Sequence, residues 1–350
     1  MALMKMDAVD AHFVILIPSN MYLYLSLVLN IISSTISSNS DCGCSLNRNG
    51  QCGEEINPSE RYSKKSNSLT ADNNENEAFD TSNMVLIEKA TFEMGTNKPV
   101  FESDHEGPIR NVSVDSFYLD KYEVSNRQFY DFVKKSGYKT EAEIFGDSFI
   151  FEMSLPEQDR TKYQDIRAVQ APWWVKLKGV SWEHPEGPES TVEGRMNYPV
   201  THVSWNDAVR FCEHLGKRLP TEAEWEIACR AGLRQKLYPW GNKLNAKEKH
   251  WANIWQGEFP LENTAEDGFI FTCPVDEFPP NNFGLYNMAG NVWEWTSDNW
   301  LNDADSKVKK GGSFLCHKSY CWRYRCAARS FNTKDSSAGN LGFRCAGDVK

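Results

Sequence analysis

The sequence predicts an α+β fold: one mixed, irregular domain of short strands and short helices with much non-repetitive chain between them. Three observations predict it. Apolar runs at 84–87, 91–95 and 112–119 have the length and composition of strands. Polar residues three apart stand where helices should begin: Ser125 with Gln128, Thr140 with Glu143, Ser204 with Asp207, and Thr221 with Glu224. Two long stretches, 145–199 and 251–298, show neither period. The 350 residues are 40% hydrophobic with 12 Trp, 13 Tyr and 19 Phe, enough for a sizeable core. A net charge of −10 argues against nucleic acid as a main partner. No internal repeat, phosphate-binding glycine loop or HExxH zinc motif is visible.

In chain order, residues 13–32 form the long apolar segment. Pro18, Ser19 and Asn20 interrupt it, so the better apolar run is Met21 to Ile32. That length suits a signal-peptide core and is short for a membrane span. Small residues from Ser33 to Ser40 allow cleavage, while Asp7 and Asp10 offset Lys5 and leave an uncleaved anchor open. Residues 1–37 therefore read as a signal peptide or signal anchor. Residues 38–82 are rich in Ser, Asn and Glu and read as a disordered linker. Residues 83–350 are the expected folded domain. The linker holds Cys42, Cys44 and Cys52, which cannot all pair with one another. A local disulfide and a bond to another protein are both open. Ten cysteines fit an oxidising compartment, and also a cytosolic metal protein. Asn111-Val112-Ser113 is a glycosylation acceptor if the chain is secreted.

The helix from Ser125 should end at Gly137 and bury Phe129, Phe132 and Val133. Those from Ser204 and Thr221 should end at Gly216 and Gly232 and carry Cys212 and Cys229 beside apolar residues. Buried free thiols and disulfides are both open there. Residues 145–199 carry Trp173, Trp174 and Trp182 and read as a loop covering one wall of a groove, or as a patch of core. In 251–298, Asn, Asp and Glu alternate with glycines and turns, which suits calcium and equally suits ordinary turns.

The chemistry concentrates in 311–329, GGSFLCHKSYCWRYRCAAR. Cys316, Cys321 and Cys326 recur at a step of five, which fits neither one face of a strand nor one face of a helix. A bent segment with different jobs for its cysteines is one reading, and three disulfide cysteines the other. Lys318, Arg323, Arg325 and Arg329 stand near enough to lower a thiol pKa.

Read together, Gly311-Gly312-Ser313, residues 316–321, Arg323 to Arg329 and Asn340-Leu341-Gly342-Phe343-Arg344-Cys345 resemble the signature of the formylglycine-generating enzymes, or sulfatase-modifying factors. The likeness runs upstream to about Met84. It implies that family's fold, distantly C-type-lectin-like. It also implies that Cys316 and Cys321 hold copper(I), with the thiol of a substrate cysteine as third ligand and molecular oxygen as co-substrate. The substrate would be an unfolded sulfatase segment, Cys-x-Pro-x-Arg, whose cysteine becomes Cα-formylglycine. Ser313, His317, Trp293 and Asn340 match positions lining the family's active site. Disulfides Cys212–Cys345 and Cys229–Cys326 are implied, leaving Cys273 over. Two calcium sites are implied, one from Asn253, Ile254, Asp267 and Phe269, the other from Asn287, Gly290, Val292 and Glu294. The family implies the endoplasmic reticulum lumen, with retention by thiol-bearing partners through the linker cysteines. Two other functions stay open, a non-catalytic sulfatase-binding chaperone or regulator and a calcium-binding lectin-like module. The seven histidines do not cluster, which counts against a three-histidine iron site.

Overall fold

In the computed structural model of the chain, residues 79–169 and 171–350 are described. The apolar segment, nearly all of the linker and Cys42, Cys44 and Cys52 lie outside the described residues. The strands are β1 (Met84–Ile87), β2 (Ala90–Met94), β3 (Arg110–Val114), β4 (Phe117–Asp120), β5 (Asp147–Phe151), β6 (Arg167–Ala168), β7 (Ala171–Lys178), β8 (Trp293–Trp300), β9 (Asp303–Lys310), β10 (Ser330–Thr333), β11 (Leu341–Gly342) and β12 (Ala346–Asp348). The α-helices are α1 (Asn126–Ser136), α2 (Glu141–Phe145), α3 (Glu157–Arg160), α4 (Trp205–His214) and α5 (Glu222–Arg230). The described strands gather into four small sheets, ordered β1-β4-β12, β2-β3, β5-β7-β6 and β10-β9-β8-β11. This is the mixed, irregular architecture that the alternation of short runs and caps predicts.

All four start signals form full capping boxes. Ser125, Thr140, Ser204 and Thr221 each accept the amide three residues on, and the side chain there reaches back. These contacts satisfy amides that a helix start leaves bare. α1 ends at Gly137, in the left-handed conformation. α5 stops one residue before the expected glycine, at Ala231, whose N–H bonds the Ile227 carbonyl. α1 and α4 bury Phe129, Phe132 and Phe211 against Phe343 and Trp182. Each such aromatic contributes about 1.5–3 kcal/mol of burial. Val133 is only partly buried, at the edge of that cluster.

Two expectations are corrected. The run 112–119 is two strands in two sheets, since β3 pairs with β2 while β4 pairs with β1 and β12. The chain turns at Asp115-Ser116, where Ser116 Oγ accepts the Lys89 amide at 2.9 Å. The stretch 145–199 is not all loop, because β5, β7 and β6 form a sheet inside it. Pro172 disguises β7, since proline cannot donate to a ladder. It sits beyond the β5 pairing, which stops at Phe151 opposite Trp174, and beside a register shift in β6. No ladder bond is asked of it there.

Candidate active site

Residues 311–329 connect β9 to β10, which pair directly from Ser330 opposite Lys309. The ladder closes the base of the loop, and α5 clasps it. Glu222 accepts two bonds of 2.8 Å from Arg329 at one end and one of 3.4 Å from Lys310 at the other. Gly312 has φ +71°, and a Cβ there would stand 2.9 Å from the Tyr324 nitrogen. Only glycine lets the outgoing and returning chains pass so closely.

Two turns then fold up the step of five. The Cys316 amide bonds the Ser313 carbonyl at 2.9 Å, and the Cys321 amide bonds the His317 carbonyl at 2.7 Å. The Cys316 and Cys321 sulfurs meet at 2.7 Å, both buried and not joined in a disulfide. Cys326 faces elsewhere and is bridged to Cys229, as Cys212 is to Cys345. The three cysteines of the stretch thus have different jobs.

Burial pushes the Cys316 thiol well up, and the neighbouring sulfur adds to that. Burial also acts to raise Cys321, but the Cys316 hydrogen bond and the Arg323 and Lys309 cations outweigh it and hold that thiol below its ordinary value. Negative charge is therefore favoured on Cys321. Arg323 is fixed by Asp104 through bonds of 2.6 and 3.1 Å. The other cations of the stretch are engaged elsewhere: Arg325 with Glu106, Arg329 with Glu222, and Lys318 over the Trp322 ring. Lys309, outside the stretch and unforeseen from sequence, is buried with Nζ 4.9 Å from the Trp293 ring centre.

Ser313, Trp293 and Asn340 converge beside the pair. Asn340 Nδ2 donates to Ser313 Oγ at 2.9 Å, and the Asn340 carbonyl accepts the Trp293 amide at 2.8 Å. His317 contributes its carbonyl to the turn, but its ring Nδ1 pairs with Ser319 Oγ at 2.7 Å. Burial lowers that imidazole's pKa. Of the three tryptophans of the irregular stretch, Trp173 reaches the site. It stands edge-on to Tyr320 at 5.1 Å, and Phe259 stacks on the same ring at 4.8 Å. Trp174 packs on Phe151 and Trp182 on Phe129, both in the core. Tyr320, an aromatic within the signature between Cys316 and Cys321, was given no part in the site from sequence, and Phe259 was missed.

Residues 69–349 match the profile of the sulfatase-modifying factor enzyme 1-like domain. The chain belongs to this family. A Mus musculus protein named formylglycine-generating enzyme is 54% identical over 323 residues, which are 88% of this chain and 86% of that one. A Bos taurus protein named inactive C-alpha-formylglycine-generating enzyme 2 is 45% identical over 270 residues, 76% of this chain and 88% of that one. The structure of PvdO from Pseudomonas aeruginosa matches with a TM-score of 0.55 at 22% identity, over 76% of this chain and 94% of that one. That likeness speaks to the fold alone.

Cys316 and Cys321 are the residues that the resemblance assigns to copper(I). Among the described residues, no three His, Cys, Asp or Glu side chains converge as a metal site. What the loop brings together is two sulfurs, joined by no His, Asp or Glu among the described residues, a donor set that fits a soft monovalent ion. At 2.7 Å the sulfurs are in contact, so holding an ion asks one side chain to turn aside.

At the first calcium set, Asp267 bonds the Ile254 and Phe269 amides at 3.1 and 3.0 Å, bringing those residues together. Asn253 Oδ1 is buried there without a hydrogen-bond partner, a free oxygen of the kind a hard cation takes. At the second set, both Glu294 oxygens accept from Arg344 at 2.7 Å, and Trp225 Nε1 adds a bond of 2.8 Å, so this carboxylate is engaged in a buried ion pair. The acid beside Asn287 is instead Glu123, bonded to Asn287 Nδ2 at 2.9 Å and Asn291 Nδ2 at 3.0 Å. Burial pushes the Glu123 carboxyl up to about 8. Asn287 Oδ1 is again buried and unpartnered. Asn287 and Gly290 both have positive φ, which is what turns the chain there. Glu123, just before the α1 cap, carries no sequence signal linking it to residues 164 positions away.

Cys273 is buried and free, its thiol pushed up by burial, and its amide bonds Asn291 Oδ1 at 2.9 Å. Asn111 is exposed on β3, opposite Glu93.

Proposed function

We propose that this chain oxidises a cysteine of unfolded sulfatase polypeptides, in the sequence Cys-x-Pro-x-Arg, to Cα-formylglycine. The observation that carries the reading is the buried Cys316–Cys321 sulfur pair at 2.7 Å, beside an aromatic wall and with a soft-ion donor set. Cys316 and Cys321 are the residues that would hold copper(I), which supplies a soft seat for the substrate thiol and a route for activating molecular oxygen. Arg323 and Lys309 offset the charge of the thiolates. Asn340 holds Ser313 Oγ in place next to Cys316, and Trp293 fills the floor and excludes water. His317 is assigned to support of the turn. Trp173, Tyr320 and Phe259 line an approach suited to an extended peptide.

The substrate carbon gives up two electrons and its sulfur leaves as sulfide. Reduction of oxygen to water takes two further electrons from an external thiol reductant.

The calcium reading keeps Asn253, Ile254, Asp267 and Phe269 for one ion. For the second it keeps Asn287, Gly290 and Val292, with Glu123 in place of Glu294. The endoplasmic reticulum lumen, glycosylation at Asn111 and thiol exchange of Cys42, Cys44 or Cys52 with retention partners belong to the same reading. A non-catalytic regulator is the competing function. The retained pair favours catalysis over it, as it does over a lectin-like module.

The test is mass spectrometry of a Cys-x-Pro-x-Arg peptide after incubation with the protein, copper(I), a thiol reductant and oxygen. Loss of about 18 Da marks conversion of thiol to aldehyde, an oxidation of the cysteine side chain. A peptide that binds but keeps its mass would favour the regulator.

A further inference from the structure

The Cys229–Cys326 bridge, with Cα atoms 5.7 Å apart, also brings the neighbouring residues Arg230 and Arg325 together. Both are buried and both line a cavity of about 280 Å³ with Thr96, Asn97, Lys98 and Lys236. Each arginine is held in place by a buried carboxylate, Glu226 or Glu106. Neither carboxylate lines the cavity, and no Asp or Glu among the described residues does. Lys98 and Lys236 are exposed, so they form its rim, and neither is in an ion pair among the described residues. Four of the lining residues are cationic, and of these Lys98 and Lys236 carry the charge that no carboxylate offsets, in a chain of net charge −10.

Thr96 and Asn97 border the same space. Thr96 Oγ1 already accepts the Lys98 amide at 3.1 Å, so its hydroxyl proton is available. Asn97 Oδ1 accepts the Ile109 amide at 3.0 Å, so its Nδ2 is available. Two ammoniums, one hydroxyl and one amide match the acceptors of a tetrahedral oxyanion. The cavity is near the lower end of the range for small-molecule sites, about 300–1,000 Å³.

We propose that this cavity binds a tetrahedral oxyanion group, the sulfate or phosphate of a small monoester. The site is independent of the sulfur pair: Cys316, Cys321, Ser313, Trp293, Asn340 and Tyr320 do not line it.

The test is calorimetric titration and thermal melting of the full chain with inorganic sulfate and, separately, inorganic phosphate. Sodium chloride at matched ionic strength is the control. A saturable rise in melting temperature is expected with at least one oxyanion, and the one that saturates at lower concentration identifies the source. The double variant Lys98→Gln/Lys236→Gln should bind at least tenfold more weakly and melt normally in anion-free buffer. Lys98→Arg/Lys236→Arg should keep binding within threefold. An equal response to chloride overturns the proposal, as does undiminished oxyanion binding by the glutamine double variant.

Discussion

Two regions of this molecule gather candidate ligand atoms in opposite ways. The loop 311–329 brings Cys316 and Cys321 together by two tight turns within one short stretch. The turn-rich region around 253–294 assembles oxygens from separate turns and borrows Glu123 from before α1. The first is a local geometry of soft atoms, and a contiguous motif records it. The second is a tertiary geometry of hard atoms, and its membership depends on which acid the fold leaves unpaired. Glu294 shows the difference: its position in the sequence suits a ligand, but Arg344 has taken both its oxygens.

The largest effect should come from breaking the soft site. Cys316→Ser and Cys321→Ser should each reduce aldehyde formation to background, because a hydroxyl is a poor ligand for a soft ion. Neither cysteine is in a disulfide, so both variants should fold. Full activity in either serine variant would remove the basis of the pair assignment. X-ray absorption of the copper-loaded protein should show a sulfur-only shell.

The hard site is sharpened by comparing two carboxylates. Glu294→Gln should cost about 3–5 kcal/mol by stranding the buried Arg344 charge, with and without calcium alike. Glu123→Gln should instead remove the part of the melting temperature that calcium adds over chelator. If Glu294→Gln removes that calcium increment while Glu123→Gln keeps it, Glu294 and not Glu123 is the ligand.

Removing the Cys229–Cys326 bridge should cost about 2–5 kcal/mol in denaturant unfolding, as for other native disulfides. A non-reducing peptide map should pair Cys212 with Cys345 and Cys229 with Cys326. Finding Cys321 joined to Cys326 would overturn the assignment of the soft site.

A further effect is expected in acid. His202 is fully buried, and burial lowers its pKa from 6.5 to about 3. The unfolded chain then binds the proton more readily than the folded one. Its contribution to stability should be complete above pH 6.5 and lost as pH falls through that window towards 3, at up to about 1.4 kcal/mol per pH unit. His202→Asn should flatten that slope in melting curves between pH 6.5 and 4. An unchanged slope would assign the acid sensitivity to other groups. The smallest change is for His317→Ala, whose ring bonds Ser319: a modest fall in rate and no change in the sulfur shell. A nitrogen ligand that vanishes in this variant would make His317 a ligand instead.

The same division explains what the sequence made legible. Every capping box is a contact three residues long, so Ser125, Thr140, Ser204 and Thr221 could be read directly. The cysteine step of five likewise pointed to a bend. What escaped depends on long-range pairing. β7 was hidden by Pro172, whose tolerance rests on where β5 stops and β6 shifts register. Trp182 could not be told from Trp173, since one packs on Phe129 and the other on Tyr320, and nothing local distinguishes them. Lys309 joined the site only because β9 runs beneath Trp293.

Glu222 grips both ends of the reactive loop, and the β9–β10 ladder fixes their spacing. Inside that frame Cys326, Arg323 and Arg325 bind the returning chain to Cys229, Asp104 and Glu106. The segment is therefore moored at its base and again along its way back, and the two free sulfurs sit on the short span between those moorings, where an exchange of sulfur for oxygen leaves every mooring in place.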